Sequence, residues 1–148
     1  MMGKQVMTAV ILSLGLVGGA YAQTCSCPAG TGSPLNFNKM RDILTGNTVC
    51  VGSSSSWQAQ EQHDSGGVLR DYKLGPSSTV DPTSQVGTWA IASVAAGPQV
   101  TYTYGSTSYV YGVCSTANSA AHGQAVGFCP MGSGTATAAT LRLGLVGC

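Results

Sequence analysis

From Thr48 onward, apolar and polar residues alternate with a period of two, and Gly, Pro, Asp and Ser clusters break the alternation at short, regular intervals. A chain patterned this way buries one face of a pleated strand and turns before the next, so it predicts an antiparallel all-β domain. The first strand is predicted over 48–51. Residues 57–63 follow, with Trp57, Ala59, Glu61 and His63 on one face and Gln58, Gln60 and Gln62 on the other. Asp64-Ser65-Gly66-Gly67 supplies a hairpin turn into 68–74. Gly75-Pro76 and Asp81-Pro82 bracket a polar loop before a strand over 86–94, and Gly97-Pro98 turns the chain again. Next comes the clearest hairpin: Val100, Tyr102 and Tyr104 share a face, Gly105-Ser106-Thr107 turn, and Tyr109, Tyr111 and Val113 return. A Ser/Ala/Gly loop over 115–123 leads to a strand at 124–129. The last strand is expected over 136–146, placing Thr137, Ala139, Leu141, Leu143 and Leu145 on one face. About eight strands suit a small antiparallel barrel or a two-sheet sandwich, and the barrel is the preferred reading.

The period changes ahead of this region. Asn36 can cap a short helix in which Phe37, Met40, Ile43 and Leu44 recur at helical spacing, with Gly46 as its stop. Residues 23–34 are rich in Cys, Gly and Pro and read as an irregular arm. Further upstream, Lys4, an apolar run over 6–19 and Ala20-Tyr21-Ala22 form a secretory leader, 1–22, with cleavage expected before Gln23. Its apolar core is too short to span a membrane as a helix. Gln23-Thr24 stand where a lipid-attachment signal needs a small residue before Cys25, which favours ordinary cleavage. The remaining 35–148 is expected to be a single domain, secreted or periplasmic.

Export changes the meaning of the cysteines. Cys25, Cys27, Cys50, Cys114, Cys129 and Cys148 all follow the leader, so an even set meets an oxidising compartment and reads as a disulfide framework. Spacing does not fix the pairing. Cys114 and Cys129 end successive strands and could bridge their loop, while Cys50 and Cys148 would meet where the first and last strands close a barrel. Cys25 and Cys27 are poor partners for each other, and bonds from the arm to Cys50 or Cys148 compete. Zinc-type Cys-x-x-Cys pairs are absent, so no metal or other cofactor is expected. Past the leader, five basic residues balance five acidic ones, and no basic patch exists to hold nucleic acid.

The segments Trp57-Gln58-Ala59-Gln60-Glu61-Gln62-His63, Asp71-Tyr72-Lys73-Leu74-Gly75-Pro76, Asp81-Pro82 and Val86-Gly87-Thr88-Trp89 together resemble a group of short secreted proteobacterial proteins. That resemblance covers roughly 35–148 and implies export and the same order of elements, without an activity. The short helix, the strand count and Gly87-Thr88-Trp89 also resemble lipocalin-like barrels. In those proteins the Gly-x-Trp strand comes first, whereas here it follows about three strands. The likeness is therefore architectural and carries over no ligand residues.

Candidate chemistry is sparse. Glu61 and His63 point the same way on one strand, as a base and its orienting carboxylate would, but no nucleophile motif accompanies them. An exposed polar pair or a structural hydrogen bond explains them more simply, so replacing His63 should leave stability nearly unchanged. His122, in a Gly/Ala loop, could join them only by accident of the fold. Tyr102, Tyr104, Tyr109 and Tyr111, with Trp57 and Trp89, suit cross-strand packing and equally suit the lining of a barrel mouth. A one-residue change of register decides between these. With Glu61 and His63 they make the candidate ligand-binding set. The expected function is binding of a small apolar or aromatic ligand by an exported, non-enzymatic protein. A structural, self-associating surface or envelope protein is the alternative, and a hydrolase using Glu61 and His63 comes last.

Overall fold

In a computed structural model, the structure describes residues 25–71 and 84–148. The expected leader and cleavage site, Gln23-Thr24 of the arm and the Tyr72 to Pro82 part of the resemblance lie outside these residues. After the arm comes a two-residue strand, β1 (Ser33–Pro34), then helix α1 (Phe37–Leu44). Eight strands follow: β2 (Thr48–Ser53), β3 (Ser56–His63), β4 (Val68–Asp71), β5 (Ser84–Val94), β6 (Gly97–Tyr104), β7 (Thr107–Ser115), β8 (Ala125–Pro130) and β9 (Thr137–Arg142). Each is antiparallel to its sequence neighbour, and β9 pairs back onto β2 through Val49 opposite Leu141. The result is a closed up-and-down barrel of eight strands, not a sandwich, with β1 added beside the Cys114–Ser115 end of β7. Closure removes the free ladder edge that an open sheet leaves to other chains.

The side-chain alternation now has a direction. Val49, His63, Leu69, Trp89, Val100, Tyr102, Val113, Val126, Phe128, Ala139 and Leu141 are all buried, and most share the core with Met40, Ile43 and Leu44 of α1. Asn36 caps α1 by accepting the Lys39 N–H at 3.0 Å. The helix then packs against β5 and β6 and closes one end of the barrel. Because the strands alternate in direction, the turns at 64–67 and 95–96 lie at this helix end. Those at 54–55, 105–106 and 131–136 lie at the opposite, open end.

Two chain ends cover the outside of the barrel and are tied there by disulfides. The arm crosses β7 and β8 through Cys27–Cys114 and Cys25–Cys129, with Cα atoms 5.8 and 5.4 Å apart. Opposite each strand cysteine stands a glycine, Gly127 facing Cys114 and Gly112 facing Cys129. A Cβ on Gly127 would lie 2.4 Å from Thr31 Oγ1, and one on Gly112 2.8 Å from Cys25 Sγ, so side chains there would displace the arm. The bridge anticipated between Cys114 and Cys129 is therefore not formed. These residues are offset by two positions across the β7–β8 ladder, and both point outward to the arm.

The C-terminal segment covers β2 and β3 in the same way. Cys50–Cys148 forms, as barrel closure suggested, with Cα atoms 5.9 Å apart. Gln60 Oε1 accepts from the Cys148 N–H at 2.8 Å, and Asn47 Oδ1 accepts from the Gly144 N–H at 2.9 Å. The last strand is consequently shorter than the alternation implied. It ends at Arg142; Gly144, at φ +83°, turns the chain, and Leu143, Leu145 and Val146 are exposed.

Candidate functional site

Near the open end the interior is not filled. A cavity of about 160 Å³ lies among Tyr102 and Tyr104 of β6, Tyr109 and Tyr111 of β7, Phe128 of β8 and Glu61 of β3. Val49, Val51 and Thr137 complete its wall. Period two explains why these residues converge: 49 and 51, 102 and 104, 109 and 111 are each two apart on their strands and share the inward face. Ring centroids are 6.0 Å apart for Tyr102 and Tyr111, 6.0 Å for Tyr104 and Tyr109, and 6.1 Å for Tyr111 and Phe128. Tyr109 is 48% exposed, so the cavity reaches the surface beside it.

Among the described residues, Glu61 is the one charged side chain lining this space. The Tyr104 hydroxyl donates to its Oε1. Burial raises its pKa; the Tyr104 hydrogen bond opposes that shift, and Asp71, directly across the β3–β4 ladder, reinforces it. Burial and the neighbouring Glu61 charge in turn raise the Tyr104 and Tyr111 phenols, which stay protonated as hydrogen-bond donors.

His63 shares Glu61's face but belongs to a deeper layer. It is fully buried, packed edge-on against Trp89 at 5.1 Å and Tyr102 at 5.5 Å. Its Nε2 is 2.8 Å from the Tyr102 hydroxyl. Burial lowers its pKa to about 4, against an upward pull from the backbone carbonyls of Asn47 and Glu61. The ring is therefore neutral, and we assign Nε2 as the acceptor from Tyr102. Nδ1 then carries the proton near those carbonyls, although it makes no hydrogen bond among the described residues. Of the two simpler readings of the pair, the exposed one does not hold and the structural hydrogen bond does, as two separate contacts, His63 with Tyr102 and Glu61 with Tyr104. His122 is exposed on the far loop, its Nε2 2.6 Å from Arg142 Nη1.

Of the eight candidate ligand-binding residues, the structure brings Glu61, Tyr102, Tyr104, Tyr109 and Tyr111 to the cavity. His63 and Trp89 lie beneath it in the core, where Trp89 Nε1 donates to the Asp64 carbonyl at 2.9 Å. Trp57 is partly buried near the open end but does not line the cavity. Val49, Val51, Phe128 and Thr137 were not singled out from the sequence. The alternation marked Val49, Val51 and Thr137 as facing one way, but facing inward does not say how far along the barrel a residue sits. As for metal, the sulfurs of Cys25, Cys114 and Cys129 lie within 4.8 Å of one another, yet each is half of a disulfide and offers no thiolate. No helix among the described residues is long and apolar enough to cross a membrane. Comparison of the chain with protein-family models, with curated proteins and with solved structures finds no match.

Proposed function

We propose that this chain is an exported binding protein whose barrel holds one small, largely apolar or aromatic molecule. The observation that carries the reading is the cavity of about 160 Å³ among tyrosine, phenylalanine and valine side chains. Its size limits the ligand. An apolar cavity of about 150 Å³ accommodates benzene, whereas sites for drug-sized molecules begin near 300 Å³. A single ring or a compact aliphatic group of similar bulk fits; a haem or a long acyl chain does not. Three disulfides and the leader-like first 22 residues support export, because such bonds persist in oxidising compartments.

Hydrolysis has less support. The buried His63 accepts from Tyr102, Glu61 is held by Tyr104, and among the described residues neither hydrogen-bonds a Ser, Thr or Cys side chain. One observation favours the self-association reading: Leu143, Leu145 and Val146 form an exposed apolar stretch of the C-terminal segment. Native mass spectrometry of protein taken from its own compartment, compared with the same sample denatured but unreduced, separates the two readings. A small molecule lost on denaturation is the expected result. A bare monomer would count against the binding reading, and a bare oligomer would favour self-association.

A further inference from the structure

The chemistry of the cavity wall narrows the ligand beyond its size. Tyr102, Tyr104, Tyr109, Tyr111 and Phe128 contribute five aromatic rings, each carrying negative electrostatic potential over its faces. Glu61 adds a carboxylate, and Asp71 sits directly across the ladder from it. No Lys or Arg among the described residues lines the space. Lys39 and Arg41 belong to the helix at the other end, while Arg70 is paired with Gln62 and Gln85. Among the described residues, the carboxylate and the aromatic ring faces on this wall therefore favour positive charge.

From this we propose that the ligand is a small organic cation, an alkylated ammonium group seated among the tyrosine rings with its charge against Glu61. The proposal rests on the binding reading above and adds charge to it. An ammonium with methyl substituents spreads its charge over apolar surface, so it suits rings that attract cations and walls that exclude water. A trimethylammonium head also fits a space close to the one that holds benzene. Glu61 gains most from such a guest. A carboxylate buried without a counter-ion is costly, and burial already shifts this one toward its protonated form. The half-exposed Tyr109 marks the entrance.

Choline and 3,3-dimethylbutan-1-ol have nearly the same shape and differ in charge, so isothermal titration of the disulfide-intact protein with each isolates the charge. Choline is expected to bind at least ten times more tightly than the alcohol. Glu61→Gln, which keeps the side-chain shape and an acceptor for Tyr104, should remove that preference. Tyr109→Leu should weaken choline while leaving the alcohol within about twofold, which keeps the proposal testable if Glu61→Gln fails to fold. Equal binding of the two probes, or tighter binding of the alcohol, overturns the cation proposal and leaves the binding reading standing. Binding of neither probe also overturns it, and native mass spectrometry then decides the binding reading separately: a neutral molecule retained by the native protein preserves that reading, and a bare protein removes both.

Discussion

His63 should make the stability of this barrel depend on pH in a window set by its burial. Its pKa is about 4 in the folded chain against 6.5 for an ordinary histidine, because the imidazole is enclosed by Trp89, Tyr102 and the end of β3. The unfolded chain therefore binds a proton that the folded chain refuses between pH 6.5 and 4, so stability falls as pH falls through that window and is unaffected by this group above it. Lowering by about 2.5 units corresponds to roughly 3 kcal/mol lost by pH 4. Glu61, whose folded pKa is raised, contributes with the opposite sign: its stabilisation is present at low pH and is lost as pH rises above 4.5. The two are separated by His63→Leu. At pH 7.5 the variant should be less stable by about 1–3 kcal/mol, since the Tyr102 hydroxyl loses its acceptor in a buried site. Towards pH 4 the gap should close, because only the wild type carries the histidine penalty. Urea unfolding of both proteins at intervals from pH 7.5 to 4.5, disulfides intact, measures it. Parallel profiles, or a His63 resonance titrating near 6.5 in the folded protein, would refute the reasoning. Stability unaffected by the substitution at pH 7.5 would likewise contradict the buried Tyr102–His63 hydrogen bond.

Trp89→Ala removes a buried indole from the layer beneath the cavity and should cost roughly 3–5 kcal/mol, read as a lower urea midpoint. Replacing Cys50 and Cys148 together with Ala releases the C-terminal segment from β2 and β3, and a loss of about 2–5 kcal/mol is expected. Amide exchange should then accelerate at position 148, whose N–H is held by Gln60 in the wild type. Gly127→Ala places a methyl group against Thr31 and Pro28. It should loosen the arm, seen as faster proteolysis between Cys27 and Ser33, with the urea midpoint of the barrel little changed.

The strands, the hairpin turns, the capped helix and the sharing of one face by the strand tyrosines were legible because each rests on local periodicity or local turn chemistry; which face points inward was not. What sequence could not supply is depth and long-range cover. Alternation places Trp57 on the face of Glu61, but a break in register between Val51 and Gly52 sets Trp57 opposite Gly52, and it does not line the cavity that Tyr104 reaches. Gln60 and Gln62, on the face opposite Glu61 and His63, are both buried, and Gln60 accepts from the backbone of Cys148, a long-range cover that local alternation does not reveal. Leu143 and Leu145 continued the alternation of β9, and only Gly144 between them signalled its end. The cysteine pairing depended on the two-position offset across β7 and β8, a register no spacing rule reveals.

The central claim is that the space inside the barrel is a binding site, and a nuclear magnetic resonance titration of the isotope-labelled, disulfide-intact protein with phenol tests it most directly. Saturable shifts should concentrate on Val49, Val51, Tyr111 and Phe128, which line the cavity from three strands. No saturable change at these residues, or shifts confined to the exposed Leu143, Leu145 and Val146, would contradict it.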